Sequence, residues 1–371
     1  MTYYVGLMSG TSMDGIDAAL ADIADDGTIR LVATLSYSWP AELEQQLRKL
    51  ALPGEDEIDR LGEADAHAGE VLGHAVKELL RSAGITPEAV KAIGSHGQTV
   101  RHRPGARHPF TLQIGDPNRL ATHTRITTIT DFRRRDMAVG GQGAPLAPAF
   151  HKAVFGSRSE NRVILNIGGI ANLTWLPSDA RENVLGFDTG PGNRLMDDWI
   201  ARCKGERYDH EGAWASTGNV STELLERLLT EPYFRLPAPK STGTESFNLD
   251  WLARLGGGLD TRLDAEDVQA SLLELTAVTI TDAVRSLPAA TPTRLLACGG
   301  GASNERLMAR IAALLPGIET TTTASAGIDP DWVEAAAFAW LAWRTMNRLD
   351  GNLPEVTGAR EAVILGGIYP A

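Results

Sequence analysis

Val5-Gly6-Leu7-Met8-Ser9-Gly10-Thr11-Ser12-Met13-Asp14-Gly15-Ile16-Asp17-Ala18-Ala19-Leu20 sets a short, hydroxyl-rich turn between two apolar runs. The runs read as strands and the whole as a hairpin. Backbone N–H groups of a Gly/Ser/Thr turn approach an anion closely, because no bulky side chain stands in front of them. Thr11 and Ser12 add hydroxyl donors. Asp14 and Asp17 add carboxylates, which a phosphate repels unless a cation such as Mg2+ lies between. No Gly-Lys-Ser/Thr follows, so this is not a Walker loop, and it is not a dinucleotide fingerprint. Two readings stand: a loop for a metal–nucleotide, or an ordinary glycine-rich hairpin.

Outward from the hairpin, Tyr3–Met8, Ile16–Asp22 and Ile29–Ser36 read as three strands joined by short turns. Ala41–Leu50 and Ile58–Ala83 show helical apolar spacing, with Gly84 as a cap after the second. Val90–Ile93 is a short strand leading into Ser95-His96-Gly97-Gln98-Thr99, and another strand ends around Thr127–Phe132. The second half opens with the same logic, since Arg162–Leu176 is strand, Gly168-Gly169 turn, strand. Val184–Phe187 then runs into Asp188-Thr189-Gly190-Pro191. Val268–Val284 is an amphipathic helix, Arg294–Ala297 a strand ending in Cys298-Gly299-Gly300-Gly301, and Asp331–Met346 an Ala- and Trp-rich helix. Two halves that each begin with a strand–Gly turn–strand unit predict a duplicated α/β architecture with a cleft.

Composition narrows the field. The 371 residues suffice for two domains with cores of their own, and 43% hydrophobic against 22% charged residues is a globular balance. A net charge of −12 argues against broad binding to a nucleic-acid backbone, which needs a basic face. Cys203 and Cys298 lack disulfide-framework or zinc spacing. No secretion signal opens the sequence and no apolar run reaches about 18 residues, so the expectation is a soluble cytoplasmic protein without membrane contact.

Three glycine-rich turns after strands stand in order at Gly10–Gly15, Gly168–Gly169 and Gly299–Gly301. That set resembles the two phosphate loops and the adenosine loop of the actin, hexokinase and Hsp70 ATPases. The detailed strings go further. Gly6–Gly15, His96-Gly97-Gln98-Thr99, Asp131-Phe132-Arg133-Arg134-Arg135-Asp136, Gly140-Gly141-Gln142-Gly143-Ala144-Pro145, Asn166–Leu173 and Asp188-Thr189-Gly190-Pro191 together resemble the anhydro-N-acetylmuramic acid kinases. The likeness runs to Leu365-Gly366-Gly367-Ile368-Tyr369-Pro370. It implies a two-lobed actin-like (ribonuclease H-like) fold with a nucleotide cleft between lobes. The expected lobes are 1–131 plus about 358–371, and 132–357. It further implies a homodimeric kinase of cell-wall recycling that uses ATP and Mg2+. Its substrate is 1,6-anhydro-N-acetylmuramic acid, opened with water and phosphorylated on O6.

Residue roles follow from that resemblance. Asp188 is the candidate base for the attacking water, a turn-forming carboxylate being the plain alternative. Glu334, in the first turn of the Ala-rich helix, assists it; otherwise it is a carboxylate favoured by the helix dipole. Gly10, Thr11, Ser12, Met13, Asp14, Gly15, Ile16 and Asp17 wrap the β- and γ-phosphates, with Asp14 and Asp17 nearest the metal. Gly168 and Gly169 approach from the other lobe. Gly299, Gly300 and Gly301 leave room for adenosine, with Asn304 as a polar contact. One of Arg133, Arg134 and Arg135 pairs with the lactyl carboxylate, Arg133 being favoured. His96 and Gln98 bind sugar hydroxyls or the amide, or else hold their own turn. Trp340 and Trp343 read as core. Two competitors share the loops: a nucleotide-switched binding protein, and a kinase for an ordinary hexose.

Overall fold

The computed structural model describes residues 2–10, 13, 15–287 and 292–371, so Thr11, Ser12 and Asp14 lie outside the described residues. The chain divides into two compact units, Met1–Val154 with Trp332–Ala371, and Phe155–Asp331.

In the first unit, strands β1 (Tyr3–Met8), β2 (Ile16–Ile23) and β3 (Ile29–Tyr37) form an antiparallel meander. The long helix Glu57–Ala83, closed by Gly84 at φ +66°, carries the chain over to β4 (Val90–Ser95), which pairs parallel with β1. A two-stranded ribbon follows, β5 (Gln98–Arg103) with β6 (Phe110–Ile114). Then β7 (Thr128–Thr130) adds parallel to β4.

The second unit starts the pattern again with β8 (Arg162–Ile167), β9 (Ile170–Leu176) and β10 (Leu185–Pro191), an antiparallel meander. Strands β11 (Arg294–Cys298) and β12 (Glu319–Thr322) extend it in parallel from β8. The last strand, β13 (Gly367–Tyr369), returns to the first sheet and pairs antiparallel with β7. The sheet orders are β13-β7-β4-β1-β2-β3 and β10-β9-β8-β11-β12. With β13 set aside, both run third–second–first–fourth–fifth with the same strand directions. This is the duplicated ribonuclease H-like arrangement of the actin-like ATPases.

Burial explains each element. Leu7, Ile16 and Leu20 of the first sheet meet Leu72, Val76 and Leu79 of the helix Glu57–Ala83, all buried. In the second unit Leu165 and Trp175 join Trp199, Leu272 and Ile280 in one core. None of the described helices is long and apolar enough to cross a membrane.

The boundaries differ from those expected at 131/132 and 357/358. The Ala-rich helix, Val333–Met346, belongs to the first unit because it lies on the backbone of β1 and β4. A Cβ on Gly6 would stand 1.8 Å from Ala335 O, and one on Gly94 2.0 Å from Phe338 O. Gly6 and Gly94 are partners across β1 and β4, so two glycines make a bare floor for the helix. Trp340 and Trp343 are buried, as the helical register required. The segment 132–154 stays with the first unit as well, since Asp136 is bonded to Asn352 and Thr357.

Candidate active site

The first unit's groups begin at the β1–β2 turn. Met13 adopts φ +56° and donates its N–H to Gly10 O at 3.3 Å, closing the turn. The side chains of Met13 and Ile16 are buried in the core, so only their backbone faces the loop. Ser9 sits behind the turn. Its hydroxyl accepts from Trp39 Nε1 at 3.2 Å and lies 2.7 Å from both Gly15 O and Gln98 Oε1, to one of which it donates. Gln98 is fully buried, and its Nε2 donates to Gly10 O at 3.1 Å and Thr99 O at 3.3 Å. The expected sugar contact is therefore a clamp on the loop. Asp17, at the start of β2, accepts from Ser36 Oγ at 2.9 Å and lies close enough to Glu334 to oppose its ionisation.

Arg133 opens the helix Phe132–Ala138 and is the arginine of its run that turns inward. Arg134 is exposed and paired with Asp131 at 2.7 Å, and Arg135 is exposed. The Arg133 guanidinium donates through Nε at 3.0 Å and Nη2 at 2.9 Å to His96 Nε2, and through Nη1 at 2.9 Å to Gly143 O. One N–H on each terminal nitrogen is left without a hydrogen bond to the described residues, the pair a planar carboxylate takes. Since His96 Nε2 accepts, the ring carries its proton on Nδ1. Burial, reinforced by the Arg133 charge, pushes the His96 pKa down to about 3, so the ring is neutral at physiological pH. His96 thus orients Arg133. Burial lowers Arg133 itself to about 10, against the pull of Glu334 and Asp136, and it remains cationic.

Glu334 stands in the first turn of the helix seated on Gly6 and Gly94. The residue is exposed as a whole, yet desolvation by the surrounding protein raises its pKa; Arg133 opposes that shift and Asp17 adds to it. A carboxylate whose pKa is raised by burial, beside a fixed cation, is placed where a proton-transferring group is useful.

In the second unit Asp188 lies on β10, the edge strand, where the ladder to β9 slips between Asp188 and Gly190. Thr189 is the extra residue of this bulge, and its hydroxyl reaches back to Ala171 O at 3.2 Å. Gly190 takes φ +148°, where a Cβ would strike Phe234 at 2.8 Å. The bulge faces the segment 233–242, which wraps Asp188. Tyr233 Oη donates to Asp188 O at 2.9 Å, and Asp188 N donates to Lys240 O at 3.0 Å. Ser241 Oγ at 3.0 Å and Thr242 N at 2.9 Å both donate to Asp188 Oδ2. Oδ1 receives no such bond from the described residues. Burial raises the Asp188 pKa; the Thr242 N–H, the Ser241 hydroxyl and the Lys240 charge hold it down. Lys240, its ammonium over the Tyr233 ring at 4.6 Å, has its own pKa lowered by burial.

The glycine turns of this unit differ in kind. Gly168 and Gly169 are accessible, with no atom nearer than 3.3 Å to a Cβ at either. Their carbonyls receive Asn193 N at 2.8 Å and Gly192 N at 3.0 Å, pinning the turn to the start of the helix Arg194–Lys204. Gly299 and Gly301, expected to make room for a nucleotide, have no space for a side chain against the first strand of this sheet. A Cβ at Gly299 would lie 2.3 Å from Asn166 Oδ1, and one at Gly301 2.3 Å from Ile167 Cγ2. Gly300 is exposed, Gly299 half-buried and Gly301 buried. Asn304, expected on the adenosine, caps the helix Glu305–Leu314 by accepting Leu307 N at 3.0 Å.

The sequence reading missed Tyr233, Lys240, Ser241 and Thr242, which lie 45–54 residues from Asp188 and carry no motif. Among the described residues no cluster of three or more His, Cys, Asp or Glu is arranged for a metal.

A family model described as anhydro-N-acetylmuramic acid kinase matches residues 2–371. The chain is 53% identical over 370 residues to the anhydro-N-acetylmuramic acid kinase of Shewanella sp. (strain MR-7), covering 100% of this chain and 99% of the relative. Against that of Photobacterium profundum it is 53% identical over 374 residues, with 99% and 98% covered. Against that of Coxiella burnetii (strain Dugway 5J108-111) it is 50% identical over 366 residues, with 99% and 97% covered. With its duplicated sheets and a match from end to end, the chain belongs to the anhydro-N-acetylmuramic acid kinase family.

Proposed function

We propose that this protein uses ATP and water to convert 1,6-anhydro-N-acetylmuramic acid to N-acetylmuramic acid 6-phosphate in cell-wall recycling. The observation that carries the reaction is the full-length identity to curated kinases of that name. The residue roles are those the family resemblance implies, supported by the setting of each side chain within its own unit.

Asp188 is the base. Ser241 and Thr242 occupy Oδ2, which leaves Oδ1 to take the proton of the water that attacks C1. As the new C1–O bond forms, the C1–O6 bond breaks and its electron pair passes to O6. O6 attacks the γ-phosphorus of ATP, and the bridging bond to ADP breaks. Phosphorus thus takes the place of the acid that glycosidic cleavage ordinarily requires. Glu334 helps to hold the water, and Arg133 takes the lactyl carboxylate on its two remaining N–H groups. Backbone N–H groups of the β1–β2 turn and of Gly168–Gly169 cradle the phosphates. Asp17, with Asp14, would hold a Mg2+ ion, which when bound would supply charge neutralisation for phosphoryl transfer. Asp17 stands at the start of β2, beside the turn, and its negative charge disfavours ionisation of Glu334, a repulsion that a cation there would lessen. The working form is taken to be a cytoplasmic homodimer, as the family resemblance implies.

ADP release measured over a panel of glucose, N-acetylmuramic acid and the anhydro-sugar, with mass analysis of the product, tests the reading. The anhydro-sugar is expected to gain both phosphate and water. Asp188→Asn is expected to lose at least about 10²–10⁴-fold in kcat while still binding ATP. Free anhydro-sugar 6-phosphate as product, or an active Asp188→Asn enzyme, overturns it.

A further inference from the structure

Asp136 has no place in the chemistry above, yet it is a fully buried carboxylate. Its Oδ1 accepts from Asn352 Nδ2 and Thr357 Oγ1, both at 2.7 Å, and its Oδ2 accepts from Gly143 N at 2.8 Å. Asn352 is itself fixed, because its Oδ1 accepts Val363 N at 2.8 Å. The segment 139–143 is further tied to the C-terminal stretch by Gln142 N to Thr357 O and Arg360 N to Val139 O, both 2.9 Å. No side chain fits at Gly141, where a Cβ would lie 2.1 Å from Asp136 Oδ2. The carboxylate thus has matched donors on both oxygens and closely packed walls.

Gly143 links this carboxylate to the site. Its N–H is held by Asp136, and its carbonyl holds Arg133 Nη1 at 2.9 Å. Arg133 has two protein anchors, His96 on one edge and Gly143 O on the other. Asp136 sets where the second anchor stands. A guanidinium fork recognises a carboxylate through its direction as well as its charge, so an anchor that drifts misaims the fork.

We propose that Asp136, fastened by Asn352 and Thr357 of the C-terminal stretch, is a positioning residue that aims Arg133 at the carboxylate of the sugar. This rests on the reading of Arg133 given above. The role predicts a change in sugar affinity that a general loss of structure does not give.

The test is steady-state kinetics on the full-length enzyme for Arg133→Ala, Asp136→Asn, Thr357→Val and the double variant Arg133→Ala/Asp136→Asn. Asp136→Asn replaces one of the two acceptor oxygens by an N–H donor. It is expected to raise the KM for the anhydro-sugar about tenfold, with the KM for ATP within about twofold of wild type. Thr357→Val, which removes one donor far along the chain, is expected to shift the same constant in the same direction by about threefold. In the double variant the sugar KM is expected to match that of Arg133→Ala alone, because the fork being aimed is gone. Equal losses in both KM values, or full additivity with Arg133→Ala, overturn the proposal. If Arg133→Ala leaves the sugar KM unchanged, the reading of Arg133 falls and the proposal with it. If Arg133→Ala raises it while Asp136→Asn and Thr357→Val do not, only the role of Asp136 falls. Should Asp136→Asn fail to fold, Thr357→Val and its combination with Arg133→Ala decide.

Discussion

Asp188 and Arg133 show how a side chain acquires a single working direction. Asp188 has one oxygen committed to Ser241 and Thr242 and one left over. Arg133 has two edges committed and two N–H groups left over. Removing a commitment is therefore more informative than removing the group. Ser241→Ala deletes a donor that stabilises the Asp188 carboxylate, so the pKa of the base, already raised by burial, rises further. A base works only when deprotonated, so activity falls as pH drops through that pKa. The acid limb of kcat/KM is expected to move to higher pH by about half to one unit in Ser241→Ala, the bond being partly solvent-exposed. A limb that stays in place, measured from pH 4 to 8, refutes the assignment of the limb to Asp188. Asp188 itself was legible as the residue where a strand meets Thr189-Gly190-Pro191. Its partners were not, because Ser241 and Thr242 reach it only through tertiary packing. The arginine run was half legible: charge and the family strings marked it, but the choice of Arg133 depends on a seven-residue helix, Phe132–Ala138, too short to show a period.

Among the elements, the helix Val333–Met346 decides most. Its position rests on main-chain contact with Gly6 and Gly94, so a single methyl group at either glycine has nowhere to go. Gly94→Ala is expected to cost at least about 1–3 kcal/mol in unfolding free energy and to lower kcat, because Glu334 rides on the displaced helix. Gly62, inside the helix Glu57–Ala83, has no atom within 4 Å of a Cβ and ordinary φ. Gly62→Ala is expected to stabilise by about 0.5–1 kcal/mol. Chemical denaturation of both variants checks the pair, and equal effects would contradict the packing argument. The strand Tyr3–Met8 and the amphipathic helix Ala41–Leu50 were readable to the residue from apolar spacing, and the strands Ile16–Ile23 and Ile29–Tyr37 to within one residue. By contrast the ribbon β5–β6 was not, since Arg101, His102 and Arg103 interrupt its alternation.

On the scale of the whole molecule, duplication was legible and the partition was not. Two strand–Gly turn–strand openings announced two sheets of one design, and the sheet orders agree. The boundaries depended on which sheet the Ala-rich helix covers, and Ala-rich character alone does not choose a partner. Stability also carries a global pH signature. Burial, with the charges of Asp198 and Asp209, raises the Asp197 pKa to about 7, while Arg194 opposes it. A carboxyl whose pKa rises on folding favours the native state only while protonated, so its contribution is lost as pH climbs from about 4 through about 7. Asp197→Asn removes that titration. Its Tm is expected to exceed wild type by more at pH 8 than at pH 5, and a difference independent of pH would contradict the shift.

The first unit is assembled from both ends of the chain, whereas residues 155–331 are contiguous. As synthesis proceeds from the N-terminus, the contiguous unit has its whole core available while β1 and β4 still lack their covering helix. Premature termination anywhere before Val333 would leave that sheet face bare and Asp136 without Asn352 or Thr357. The unit begun first on the ribosome is thus the one completed last.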